Sequence, residues 1–225
     1  FFYLSTAGGP AASEEPRMKR WWMIAVGSFV SATVALPASA AIRVAVVTNP
    51  AGSDSAVQAA AQLNHDTYFD FTATVVTPDA IDTAGELTAY DCVVFGDSGN
   101  NNNTWTQAMA DALVTFVTAG HGVVSTGWAD YAITTSSARD LALDNVMPID
   151  AAPDAVNHFC GSNTTMTITG PAHPVTAGIT SFSDTSSDVE ITPFAPDATN
   201  GTVLGTVTAT GCTDNVHNAI VVGNL

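Results

Sequence analysis

Asp97, Thr126, Asp130 and His158 are the side chains in this sequence best placed to do chemistry. The Thr126 hydroxyl becomes a nucleophile only beside a base. His158, next to Phe159 and Cys160, can be that base if Asp130 or Asp97 stands within reach of its ring. Asp97 and Ser98 open a loop that runs into four consecutive Asn, 100 to 103. Side-chain oxygens of this kind take a cation or sugar hydroxyls. The stretch lacks the D-x-[DN]-x-[DN]-G spacing of a calcium loop, and the same residues make an ordinary solvated turn. Trp128 offers a flat ring for stacking, or packs beneath a loop. The histidines are His65, His121, His158, His173 and His217. They show neither H-x-x-x-H nor H-E-x-x-H spacing, so no sequence-local zinc site is expected. No metal and no cofactor is expected.

These residues need elements to hold them. Ile42 to Thr48 is a continuous apolar, β-branched run, the pattern of a strand buried on both faces. Ser53 or Asp54 can cap a helix running to about Asn64. Phe69 to Thr77 reads as a second strand, ended by Pro78, with a short helix or turn over Asp82 to Leu87. Cys92 to Gly96 is a third strand. Thr104 and Gln107 have the capping-box spacing for a helix that continues to Ala119, and Gly120 stops it. Gly122 to Thr126 is the fourth strand. The alternation predicts a parallel sheet with helices on both faces, and ligands in such sheets bind at the carboxyl ends of the strands. Asn49, Asp97, Ser98, Thr126, Gly127 and Trp128 would then share one ligand-binding rim.

The second half is richer in Gly, Thr, Asp and Pro. Ser137 to Asn145 reads as a helix. Thr164 to Thr169, Val189 to Thr192, Thr202 to Thr208 and Ala219 to Val222 read as short strands. They are expected to add antiparallel strands to the sheet edge. The fold class is therefore α/β: a flavodoxin-like three-layer sandwich with a mainly parallel sheet and antiparallel edge additions in the C-terminal half.

Met18, Lys19 and Arg20 precede an apolar run from Trp21 to Leu36, then Pro37 and Ala38-Ser39-Ala40. That is the order of a secretory signal peptide over residues 18–40, cleaved before Ala41. The run is shorter than the ~20 apolar residues that span a bilayer. Residues 1–17 read as an upstream or non-native extension, and 41–225 as a single domain truncated at its C-terminal end. The protein is expected to be secreted, periplasmic or on a bacterial cell surface. In residues 41–225 two cations, Arg43 and Arg139, stand against 19 acidic residues, a formal charge of −17. Such a surface repels nucleic acid and anionic membranes. Cys92 sits in an apolar run, whereas Cys160 and Cys212 lie in polar loops and form the expected disulfide in an oxidising compartment. Two matches to the N-x-[ST] acceptor, at Asn163 and Asn200, are close to chance, and no glycan is expected.

Four segments, in this order, carry a resemblance: the opening strand; Leu87-Thr88-x-Tyr90-Asp91-Cys92-Val93-Val94; Phe116-Val117-x-x-Gly120-x-Gly122-Val123-Val124; and His173-Pro174-Val175-Thr176-x-Gly178-Ile179. Together they resemble the class I glutamine amidotransferase-like superfamily, in its ThuA-like, trehalose-utilisation branch. The resemblance implies a nucleophile elbow after the fourth strand, occupied by Cys in true amidotransferases, with His and Glu later in the chain. This chain reads Ser125-Thr126-Gly127-Trp128-Ala129-Asp130 there, without Cys, and no His-x-Glu pair follows. Two functions remain in play. One is a non-catalytic exported module that binds a carbohydrate or a protein. The other is a ThuA-like hydrolase or carbohydrate-modifying enzyme using rim Asp and His residues.

Overall fold

A computed structural model of the chain describes residues 4–5, 41–48, 54–65, 67, 70–95, 105–125, 129–130, 143–151, 158–160, 163–185, 189–191, 194–210 and 216–223. The apolar runs become strands β2 (Ile42–Val47), β3 (Phe71–Val76), β4 (Cys92–Phe95) and β5 (Gly122–Ser125). They lie in the order β3-β2-β4-β5, and every pairing among them is parallel. The order reverses between β2 and β4, which makes their carboxyl ends the expected ligand position of a flavodoxin-like sheet.

The period of two along β2 explains the three layers. Val44 and Val46 face α1 (Asp54–Asn64) and pack with Ala56 and Ala60. Ala45 and Val47 face the other way, into the larger core. That core holds Met109, Leu113, Phe116 and Val117 of α3 (Gln107–Thr118) against Val93, Phe95 and Val123. No helix among the described residues is long and apolar enough to cross a membrane.

Between β3 and β4, α2 (Ala84–Leu87) is a single turn. It starts with a full capping box: the Thr83 hydroxyl accepts from the Glu86 N–H, and Glu86 accepts from the Thr83 N–H. Leu87 is thereby pinned in the core at 1 % exposure. Thr83→Ala is expected to cost about 1 kcal/mol, seen as a lower urea midpoint with an unchanged slope.

The cap of α3 differs from the expected one. Thr106, not Thr104, accepts from the Met109 N–H, at 3.2 Å. Trp105 is the reason: it is buried edge-on against Phe95, and that contact holds the chain extended until Thr106. At the far end Gly120 takes φ 98, the left-handed conformation that closes a helix and that other residues resist.

The second half builds β8 (Thr164–Ile168), β9 (Ser181–Asp184), β12 (Thr202–Ala209) and β13 (His217–Gly223). They form an antiparallel run, β13-β12-β8-β9, within the main sheet. Among the described residues two further pairs stand apart from it: β6 (Ile149–Ala151) with β11 (Phe194–Pro196), and β7 (His158–Cys160) with β10 (Val189–Ile191). These strands have three residues each, and Pro196 has no N–H to extend a ladder. The strand expected over Val189 to Thr192 is therefore not an addition to the main sheet's edge. Cys160 lies in a strand rather than a loop. Its expected partner Cys212 is outside the described residues, as is most of the helix expected over 137–145.

Leu4–Ser5 forms a two-residue strand, β1, from the segment set aside as an extension. It lies between β5 and β13, antiparallel to the first and parallel to the second.

Cys92 is a free thiol on β4, packed with the α1 layer. Burial, helped by the charge of Asp91, pushes its pKa up to about 11. Native protein at mildly alkaline pH is therefore expected to leave Cys92 unalkylated. Peptide mapping after iodoacetamide should find it modified only when denaturant is present.

Candidate functional site

The parallel register aligns three strand ends: Val47 is paired with Phe95, and Phe95 with Ser125. Thr48, next after β2, is buried, and its N–H donates to the Val76 carbonyl at 2.9 Å. This row is the floor of any site at the β2–β4 switch point.

Ser125 ends β5 with 0 % exposure. Five residues on, Asp130 and its neighbour Ala129 have helical backbone. The Asp130 carboxylate accepts a hydrogen bond from the Ser125 hydroxyl. Asp130 itself is 7 % exposed. Burial disfavours its charged form and raises its pKa to about 6, and the Ser125 bond pulls the other way. The expected rim carboxylate is thus an interior group, half of a buried polar pair.

That arrangement bears on chemistry. A nucleophile elbow works because the strand-to-helix turn presents the nucleophile's oxygen at the top of the sheet. Here the last strand residue is fully covered and its proton points at a carboxylate. Asp130 can hold or release a proton near pH 6, which suits general acid–base work in principle. Ser125 is a partner that residue types alone do not single out. Its signal is the five-residue spacing to Asp130 at the end of an apolar strand.

His158 is in β7, paired with Ile191, outside the main sheet that holds Ser125. Asn49, Asp97, Ser98, Thr126, Gly127 and Trp128 lie outside the described residues. His173 caps the short turn Pro174–Thr176, its Nδ1 accepting from the Val175 N–H. No group of three or more His, Cys, Asp or Glu among the described residues could hold a metal ion.

No family model matches the chain, and no curated protein does. Solved structures do. A protein described as ThuA-like from Bacteroides uniformis ATCC 8492 is 16 % identical, with 84 % of this chain and 85 % of that chain covered and a TM-score of 0.56. A cytoplasmic protein from Salmonella typhimurium LT2 is 14 % identical over 81 % and 87 % of the two chains, with a TM-score of 0.49. A protein from Thermoplasma acidophilum, described as one of the subunits of a GMP synthase, is 10 % identical over 83 % and 84 %, with a TM-score of 0.41. At such identities the likeness is one of fold: the chain has a flavodoxin-like fold, shared with the protein described as ThuA-like.

Proposed function

We propose that this chain is an exported, non-catalytic amidotransferase-like domain that binds a carbohydrate at the carboxyl ends of β2, β4 and β5. The observation that carries the reading is the closed Ser125–Asp130 pair. It puts a covered hydroxyl and a buried carboxyl where a catalytic relative needs an open nucleophile. Around it the sequence supplies Asn49, Asp97, Ser98 and Thr126 for hydroxyl groups, and Trp128 as a stacking ring. The acidic surface and the signal-like segment before Ala41 support export. Cleavage there also removes Leu4–Ser5, so the exported form has β5 and β13 without the short strand between them.

A glycan panel tests the reading. Wild-type protein should bind at least one neutral glycan, and Trp128→Ala should lose it without a change in melting temperature. A folded wild type that binds nothing on the panel but retains a protein from the culture medium favours the protein-binding form. Export is tested by the N-terminal sequence of protein recovered outside the cytoplasm, which should begin at Ala41.

One observation favours a second reading, a ThuA-like hydrolase: the Asp130 carboxyl titrates near pH 6, as a general acid would. It requires a bell-shaped or sigmoid pH–rate profile centred there, abolished in Asp130→Asn.

A further inference from the structure

The main sheet ends in β3 on one side and β9 on the other, and the chain treats the two edges differently. A free edge presents unpaired N–H and C=O groups to any strand that comes alongside. At β3 the edge is stopped. Asn64, the last residue of α1, donates from Nδ2 to the Ala73 carbonyl at 3.0 Å and accepts the Ala73 N–H on Oδ1 at 2.8 Å. One side-chain amide thus stands in for a neighbouring strand in the middle of β3. No described residue does the same along Ser181–Ser183 of β9, and all four residues of that strand are exposed.

Hydrogen-bond parity says which groups of β9 are free. The Ile168 N–H donates to the Thr180 carbonyl at 2.9 Å, so Thr180 bonds towards β8, and so do Phe182 and Asp184 at the same parity. The other side of β8 agrees. The Thr169 N–H donates to the Leu204 carbonyl and the Thr210 N–H to the Asn163 carbonyl, which assigns Thr165 and Thr167 to β12. The N–H and C=O groups of Ser181 and Ser183 therefore point away from the sheet. Phe182 stands opposite Met166, and Met166 opposite Val207, so the three share one face. Met166 and Val207 belong to a buried cluster with Leu204 and Ile220, whereas Phe182 is 49 % exposed at the strand that ends the sheet.

We propose that β9 pairs with β9 of a second copy of this chain, antiparallel about a two-fold axis at Phe182, joining two main sheets into one. The register is self-complementary. It sets Ser181 opposite Ser183 of the second copy, and Ser183 opposite Ser181, so every outward group of the two serines is used. A two-fold at Ser181 would call on the Ile179 N–H, which already donates to the Thr176 carbonyl. Phe182 meets its own copy as the closer, non-hydrogen-bonded pair, the geometry that favours aromatic contact across strands. Charge selects the occupant. The chain carries a formal charge of −16, yet residues 155–183 contain no Asp, Glu, Lys or Arg. This stretch is where two such acidic chains can approach. Asp184 falls level with Thr180 of the second copy, not with another carboxylate. A basic peptide would find no anion along Ser181–Ser183. A strand this short buries little surface, so the dimer is weak and reversible.

Sedimentation of the isotope-labelled full chain from about 20 µM to about 1 mM, with amide chemical shifts followed over the same series, tests this. The expected result is a monomer–dimer equilibrium with shifts centred on Ser181, Phe182 and Ser183. Raising NaCl from about 0.05 M to about 0.5 M should tighten the dimer severalfold, because both copies are acidic. Ser183→Pro removes one outward N–H and no bond of the β8–β9 ladder, a change that edge strands accept, and should leave a folded monomer. Phe182→Lys, at an exposed position, sets two like charges face to face and should weaken the dimer about tenfold or more. A chain that stays monomeric at about 1 mM in the higher salt overturns the proposal. So does a dimer unchanged in both variants, a dimer whose shifts lie away from β9, or one that loosens as salt is added. A monomer that instead takes a basic peptide along β9 overturns it too. The rim reading is untouched by any of these results, because its own test is glycan binding.

Discussion

Asp130→Asn is expected to make the protein more stable at neutral pH, by up to about 3 kcal/mol, although it removes a charged group from the candidate site. The cause is burial. In the unfolded chain the carboxyl ionises near its ordinary value of 3.8, and in the folded chain near 6. Below the lower value both states carry the proton and nothing is lost. As pH rises from there through about 6, the unfolded chain ionises first, and the folded state loses stability. Above that the folded protein holds an unfavourable buried charge. Asn cannot ionise, and its amide oxygen still accepts from the Ser125 hydroxyl. Urea denaturation of wild type and variant should therefore diverge at about pH 8 and converge at about pH 3.5. Destabilisation of the variant at pH 8 that fades at pH 3.5 would show that the carboxylate charge is itself stabilising, and the closed pair would be wrongly described.

Phe95→Ala should be the most damaging single truncation at the site, costing about 3–5 kcal/mol. Phe95 is 1 % exposed and ends β4 between Val47 and Ser125. Its ring meets Trp105 edge-on, with centroids 5.2 Å apart at 71°, an arrangement that adds about 0.5–1.5 kcal/mol beyond the buried area. Against a typical total of roughly 5–15 kcal/mol, the loss removes a large fraction of stability. Phe182→Ala makes the control. Phe182 is 49 % exposed on β9, where all four residues are open, and the change should stay within about 0.5 kcal/mol. Comparable losses at both positions would contradict a core centred on the α3 side of the sheet.

Much of the positioning frame was legible in the residues, for identifiable reasons. Val44 to Val47 form an apolar β-branched run that only a doubly covered strand can bury, and β2 is such a strand. Gly120 stops α3 because no other residue takes that backbone so cheaply. The parallel register of β2, β4 and β5 follows from the βαβ alternation. Other features were hidden because they depend on contacts distant in sequence. Thr104 and Thr106 are equally good caps locally, and the Phe95–Trp105 contact chooses between them. Ser181 to Asp184 has no apolar pattern to mark it as a strand, and it becomes β9 by pairing with the edge of β8. The character of Asp130 was hidden too. Read as a rim carboxylate, because charge normally seeks water, it is buried and held by the Ser125 hydroxyl. Neither local propensity nor periodicity encodes that contact.

The claim on which the functional reading turns is that the Ser125 hydroxyl is shut inside the fold and engaged by Asp130. Incubating native protein with a fluorophosphonate and mapping its peptides by mass spectrometry tests it most directly. The account predicts no adduct anywhere in residues 122–130. A stoichiometric adduct on Ser125 or Thr126, lost in Asp130→Asn, would mean an open and activated nucleophile, and the chain would be an enzyme.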